Sequence, residues 1–231
     1  SDVPAFARQV AREGALPFLA AAWSGGQELE ALLKETLEQL KGHPWGVGLL
    51  GFLPSDLYKE QLAIVTRYHP PFALIAGGHP DQVKELEQAG ILTYLHLPSP
   101  ALLRMFLENG VRRFIFEGRE SGGHIGPRCG FVLWETMINE LLNALPSSRP
   151  PEEYHVLFAG GIHDALSASM VAVMAAPLAE RGVRVGLQLG SAYLFTREAV
   201  DTGAIVERYQ QEVLSCDETT VLETGPGHAI R

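Results

Sequence analysis

Residues 92–116 read LTYLHLPSPALLRMFLENGVRRFIF, and the order of apolar residues along them decides the fold. Leu92–Leu97 is an apolar run of strand length. Pro100–Asn109 then carries apolar residues at helical spacing, with Pro100 suited to a first helical turn and Gly110 at the place of a C-cap. Val111–Phe116 returns to an apolar run, whose strand core is Arg113–Phe116. A strand, a helix and a strand without a hairpin signal predict parallel strands joined by a crossover helix.

The same alternation continues outward. Further strands are expected at Leu16–Ala22, Trp45–Phe52, Ala73–Ala76, His155–Ala159 and Arg184–Leu189. Helices are expected at Val3–Glu13, Gln27–Lys41, Ser55–Tyr68, Asp81–Ala89, Phe131–Leu145, Ala165–Arg181 and Arg197–Leu214. Gly42, Gly90 and Gly182 also stand at C-cap positions, and Ser55 and Asp81 read as N-caps. Seven strands and an opening helix predict an α/β fold, an eight-stranded (β/α) TIM barrel whose first strand is absent from this chain. A doubly wound open sheet is the alternative, and the Gly-x-Gly-x-x-Gly turn it would carry after an early strand is missing. Pro146–Pro151 reads as a helix-to-strand loop, so residues 1–231 are expected to form one domain. The opening Ser1-Asp2-Val3-Pro4 lacks a methionine, which suggests a processed chain or a segment of a longer polypeptide.

Composition narrows the function. Apolar residues make up 46% of the chain and charged ones 19%, which excludes a disordered chain. A formal net charge of −9 without a Lys/Arg cluster argues against nucleic-acid binding. Cys129 and Cys216 lie far apart with no C-x-x-C spacing, in keeping with a reducing, cytoplasmic setting. The longest apolar stretch, Met170–Ala179, contains Pro177 and is too short to span a bilayer; no signal peptide is expected.

In a barrel the chemistry gathers at the carboxyl ends of the strands. There the chain places Glu117-Gly118-Arg119-Glu120-Ser121-Gly122-Gly123-His124-Ile125-Gly126-Pro127. Gly122 and Gly123 carry no Cβ and let backbone approach a flat or phosphorylated ligand, while His124 offers an imidazole for proton transfer near neutral pH. Two later strand ends, Ala159-Gly160-Gly161-Ile162 and Gln188-Leu189-Gly190-Ser191, stand where barrels form a phosphate cup. His79, His96, His163 and His155 also fall at or near strand ends, without metal-ligand spacing, so no metal site is expected. His79 and His96 read as pocket-lining. Ser121 is outside any Gly-x-Ser-x-Gly elbow, which disfavours a hydrolase, and Cys129 reads as a partly buried, unreactive thiol. Glu135 and Glu140 read as a solvated helix face, and Met170, Val173 and Met174 as a core stripe.

At Glu117–Gly126, Ala159–Ile162 and Gly186–Ser191 the chain resembles the FMN-dependent nitronate monooxygenase (2-nitropropane dioxygenase) family, which includes FMN-dependent bacterial enoyl-ACP reductases. The Glu-x-x-Glu-Ser-Gly-Gly-His-Ile-Gly loop is especially close to the reductases. The resemblance implies an FMN phosphate resting on Gly160, Gly161, Gly190 and Ser191, Gln188 near the flavin, and His124 facing its reactive side. It implies for His124 the part of the base that deprotonates a nitroalkane, or a place beside the enoyl thioester that reduced flavin reduces, with NAD(P)H as reductant. The chain departs from the family in three places. The family's first strand is missing, Gly48 replaces an Asn found in many members, and the late helical region is reduced. Its tail, Leu222-Glu223-Thr224-Gly225-Pro226-Gly227-His228-Ala229, resembles the version embedded in bacterial polyketide or polyunsaturated fatty-acid synthases, which implies a substrate on an acyl carrier and other synthase domains as partners.

Two other readings follow from the residues. One is a non-catalytic barrel kept as a structural module of a synthase, motivated by the missing strand and Gly48. The other is a flavin-free phosphate-binding isomerase or aldolase, which calls for a strand-end lysine or carboxylate pair. No lysine follows Lys84.

Overall fold

The computed structural model describes residues 2–145, 149–225 and 228–231. Parts of the Pro146–Pro151 loop and of the Leu222–Ala229 tail therefore lie outside the described residues.

The elements follow the sequence pattern. In chain order they are α1 (Pro4–Arg12), β1 (Phe18–Ala20), α2 (Gly26–Gln39), β2 (Gly46–Leu50), α3 (Ser55–Tyr68), β3 (Phe72–Ala76), α4 (Pro80–Gln88), β4 (Leu92–Leu97), α5 (Pro100–Glu108) and β5 (Arg113–Glu117). Then come β6 (His124–Ile125), α6 (Gly130–Ala144), β7 (His155–Ala159), α7 (Ala165–Glu180), β8 (Arg184–Gln188), α8 (Arg197–Asp201), α9 (Glu207–Ser215), β9 (Leu222–Gly225) and β10 (His228–Ile230). Parallel strands alternating with helices give the (β/α) pattern of a partial TIM barrel, as the sequence predicts.

The chain divides into two compact units, one running up to Leu95 with Thr196–Gln211, the other comprising His96–Phe195 with Glu212–Arg231. In the first unit β1, β2, β3 and the part of β4 up to Leu95 lie side by side and parallel, with Phe18, Gly46, Phe72 and Leu92 in one register row. Leu19, Val47, Leu49, Ala73, Ile75 and Leu95 alternate onto one face and are fully or almost fully buried. Leu29 and Leu33 of α2, Ile64 and Val65 of α3, and Val83 and Leu86 of α4 are buried in the same unit. An added Cβ at Gly48 would meet Leu74 and the Leu19 carbonyl at ordinary contact distances, 3.5 and 3.6 Å.

In the second unit β5, β7 and β8 are parallel, with Phe114, Phe116, Val156 and Phe158 buried on one face. Phe116 and Trp134 of α6 both pack edge-on against Phe158, at 5.7 and 5.8 Å between ring centroids, and Trp134 Nε1 donates to the Phe116 carbonyl at 3.0 Å. A second, antiparallel sheet in the order β6-β10-β9 belongs to the same unit.

Several expectations are corrected. Ser55 is the first residue of α3, with Pro54 in the N-cap place, because proline ends the preceding extended segment. Asp81 is the second residue of α4, and His79 is its N-cap, donating its backbone N–H to Gln82 Oε1 at 2.8 Å. Arg197–Leu214 forms two helices, α8 and α9, separated at Gly203 with φ +75°. The stripe Met170, Val173, Met174 is not core: Met170 and Val173 are exposed, and Val171, Ala175 and Leu178 are the buried positions of α7. This helix is apolar on nearly every face, so spacing alone does not select its buried side. Cys129 is exposed rather than partly buried, because it stands in the N-cap place of α6. Glu140 is paired with Arg104 at 2.7 Å, whereas Glu135 is solvated as expected. Among the described residues no helix is long and apolar enough to cross a membrane.

Candidate functional site

Register sorts the other face of β5, β7 and β8 into three rows. Arg113, His155 and Arg184 share the row at the amino ends, Ile115, Leu157 and Gly186 the middle one, and Glu117, Ala159 and Gln188 the one at the carboxyl ends. Side chains two residues apart on a strand share a face, so each row presents its residues together. The amino-end row is basic, the middle one apolar, and the carboxyl-end row polar. His155 thus begins its strand and stands at the opposite end from the loops, which removes it from the strand-end set.

The turn after β5 folds back on the turn after β7. Ser121 donates its backbone N–H to the Gly118 carbonyl at 3.1 Å, and Gly118 donates its own to the Ala159 carbonyl at 2.9 Å. Gly160 has φ +116°, and an added Cβ there would lie 3.1 Å from Ser121 Oγ and 3.2 Å from Ser121 N. Gly161 has φ +70°, and its Cβ would lie 3.2 Å from Glu120 Cβ. Both positions need glycine for conformation and for close packing. Glu120 is held in place by accepting the backbone N–H of Gly130, the first residue of α6, at 2.7 Å.

The loop of His124 meets the turn after β8. An added Cβ at Gly122 would stand 2.5 Å from Ser191 Oγ, so the two expected binding segments touch. Around Gly123 and Gly190 nothing lies within 4 Å of such a Cβ, which leaves open space on both. His124 is exposed, and its backbone forms β6 against β10, with Ile230 opposite it. Gly123 and Arg231 exchange two backbone hydrogen bonds, at 3.1 and 3.0 Å. The structure thus gathers Gly122, Gly123, His124, Gly160, Gly161, Gln188, Gly190 and Ser191 in one unit, at the carboxyl ends of β5, β7 and β8.

Ser121 Oγ, Gln188 Oε1 and His96 Nε2 in this unit are buried with no hydrogen-bond partner among the described residues. Native proteins leave few such atoms, and those that persist mark water, ligand or chemistry. His96, at the end of β4, is joined through Nδ1 to Glu117 Oε2 at 2.9 Å. Sequence reasoning placed His96 in the pocket wall but missed this partner. The signal available to it was the fifth position of a six-residue strand, one residue from the carboxyl end, with a carboxylate closing the next strand.

The remaining histidines stand elsewhere. His79 belongs to the first unit, and His163 is exposed with Nδ1 2.9 Å from the Gly161 carbonyl. Among the described residues no group of three or more His, Cys, Asp or Glu could hold a metal ion. Asp164 caps α7 by accepting the Ser167 N–H at 2.8 Å, and the Ser167 hydroxyl and N–H hold its carboxyl below the ordinary range.

No curated protein matches the chain. Among solved structures, FabK from Thermotoga maritima superposes over 100% of this chain and 67% of its own, with TM-score 0.77 and 21% identity. A point mutant of the same FabK superposes over 100% of this chain and 70% of its own, with TM-score 0.76 and 21% identity. Nitroalkane oxidase from Streptomyces ansochromogenes covers 85% of this chain and 64% of its own, with TM-score 0.66 and 20% identity. At such identities these likenesses speak to the shared fold. The profile of the family described as nitronate monooxygenase matches residues 50–231, most of the chain and all of the strand ends just described, and the chain accordingly belongs to that family of flavin-dependent oxidoreductases.

Proposed function

We propose that the chain binds FMN at the carboxyl ends of β5, β7 and β8 and reduces an enoyl thioester held on an acyl carrier, as a step of fatty-acid or polyketide synthesis. The observation that carries this reading is the set of unpartnered buried atoms, Ser121 Oγ and Gln188 Oε1 among them, beside glycines with open space at Gly123 and Gly190. A planar ligand with hydrogen-bonding edges and an anionic tail fits that donor and acceptor set. Gly160, Gly161, Gly190 and Ser191 would hold the phosphate through backbone N–H groups and one hydroxyl. Gly122 and Gly123 would pass close to the ring, and Gln188 would pair with its polar edge.

Bound FMN would supply the hydride chemistry, with NAD(P)H as the source of electrons. The protein's part is position and protons. His124, exposed on a loop fixed by β10, would give the proton that the α-carbon of the thioester takes up. The free cysteines Cys129 and Cys216 suit a cytoplasmic setting, and the tail that follows β8 suits a domain working among others of a synthase. The likeness to nitroalkane oxidase favours a second reading, in which His124 takes the α-proton of a nitroalkane and O2 is the oxidant.

The visible spectrum of the purified chain tests the cofactor, and turnover of crotonyl thioester with NAD(P)H against turnover of nitroethane with O2 tests the substrate. His124→Ala is expected to lower kcat about 100-fold while changing FMN affinity less than threefold. A colourless chain that FMN cannot reconstitute would instead indicate a non-catalytic module.

A further inference from the structure

His96 and Glu117 have no part in that reading, yet they form a histidine–carboxylate pair at the strand ends of the second unit. His96 Nδ1 lies 2.9 Å from Glu117 Oε2, and the two side chains are 12% and 17% exposed. An ionised carboxylate has no proton to give, so the shared proton is the one on Nδ1. That fixes the neutral ring as the Nδ1–H tautomer and turns the lone pair onto Nε2. Nε2 is buried and has no hydrogen-bond partner among the described residues. A pair kept only for packing would satisfy both ring nitrogens; this one satisfies the far nitrogen and leaves the other.

Glu117 shares its register row with Ala159 and Gln188, and Gln188 Oε1 is likewise buried without a partner. The polar row and the His96 ring joined to it thus hold a ring nitrogen and an amide oxygen without partners among the described residues. We propose that His96 contacts the bound ligand through Nε2 and exchanges a proton with it, with Glu117 as the residue that positions the ring. Glu117 holds the tautomer and balances the imidazolium when Nε2 is protonated, as a carboxylate does behind a catalytic or metal-binding histidine. The substrate half of this proposal rests on the oxidoreductase reading; the contact itself does not.

On β5 there is Glu117 itself; the following loop carries Arg119, Arg128, His124 and Glu120, whose carboxylate is engaged with the Gly130 N–H. β7 and β8 contribute the uncharged Ala159 and Gln188 to the same row, and Arg113, His155 and Arg184 stand two rows away.

Nitrogen-15 spectra of the histidine rings, taken on the full chain with FMN, crotonyl-N-acetylcysteamine and nitroethane added in turn, give the direct test. One ring is expected in the Nδ1–H form, absent from His96→Gln and redistributed between tautomers in Glu117→Gln. Its Nε2 signal should move with at least one of the three probes. Flavin fluorescence, followed in the same titration, reports separately whether the cofactor reading holds. A shift with a substrate probe but no flavin binding would keep the His96 contact and sink the FMN assignment. An Nε2 signal that no probe moves would overturn the contact, whatever flavin does.

In the active enzyme, Glu117→Gln is expected to lower kcat 10- to 100-fold and displace one limb of its pH profile, with FMN affinity within threefold of the parent. Loss of thermal stability with an unmoved limb would make the pair structural and refute the proposal.

Discussion

Gly160 and Gly190 belong to the same expected phosphate cup but are glycines for different reasons. Gly160 sits at φ +116° with the Ser121 N and the Gly118 carbonyl 3.2 and 3.3 Å from any added Cβ. Neither is a side chain that can swing away. Gly160→Ala is expected to destabilise the chain by about 2 kcal/mol, a fall in Tm of roughly 4–8 °C at this chain length, seen by thermal denaturation. Gly190 has open space around it and no left-handed backbone. Gly190→Ala should leave Tm within a degree or so and weaken FMN binding at least about tenfold, if backbone there meets the phosphate. An unchanged affinity in a stable Gly190→Ala chain would move the phosphate away from the turn after β8. Gly161 lies in between: its φ of +70° and the nearness of Glu120 Cβ make a bulky substitution disturb the turn as well as the ligand. A Gly161 variant therefore reports on both, and Gly190 is the cleaner probe.

The pairing of β6 with β10 ties the His124 loop to the last described residues. The bond from Arg231 N to the Gly123 carbonyl, 3.0 Å, is one that proline cannot make. Arg231→Ala keeps it and loses the side-chain bonds to Thr219 and to the Arg119 carbonyl. Amide exchange at Gly123 should therefore quicken about tenfold or more in Arg231→Pro and stay near the parent rate in Arg231→Ala, with turnover falling in the same order. Equal exchange in both would mean that β10 does not hold the loop. This contact was not legible in the sequence. β6 has two residues and β10 three, neither with an apolar alternation, and they pair across more than a hundred positions. The parallel strands were legible, because runs such as Leu92–Leu97 and His155–Ala159 are bounded by helix caps and turn glycines. The loop from Ser121 to His124 announced itself by composition. The His96–Glu117 contact did not, since it depends on which strands lie side by side and in what register, and a single run of residues encodes neither. For the same reason His155 reads as a strand-end residue until register puts it at the amino end, beside Arg113 and Arg184.

That placement has a consequence for the stability of the molecule as a whole. Burial, followed by the nearby Arg113 and Arg184, pushes the His155 pKa down from 6.5 to about 4. A folded-state pKa below the unfolded one means that, between the two, the unfolded chain binds a proton that the folded chain refuses. Stability from this group is thus fully present above about pH 6.5 and is lost as pH falls toward 4. The residue is only partly buried, so solvent screening reduces the effect to about 1 kcal/mol. Two carboxylates outside this row are held low as well. Arg112 holds the Glu153 carboxyl low, chiefly by a hydrogen bond, and Ser167 does the same for Asp164, so both give up their charge later on acidification than ordinary carboxylates do. The other carboxylates are the same in parent and variant, so their contribution cancels in a comparison of the two. The comparison that isolates the histidine is urea unfolding of the parent and of His155→Gln at pH 7.5 and pH 4.5. The parent should lose about 1 kcal/mol more than the variant on acidification, because glutamine has no proton to bind and the two arginines then meet a neutral neighbour in both states. Equal losses would show that His155 accepts its proton in the folded chain as readily as in the unfolded one, and that the basic row is open enough to water for its charges not to oppose a third.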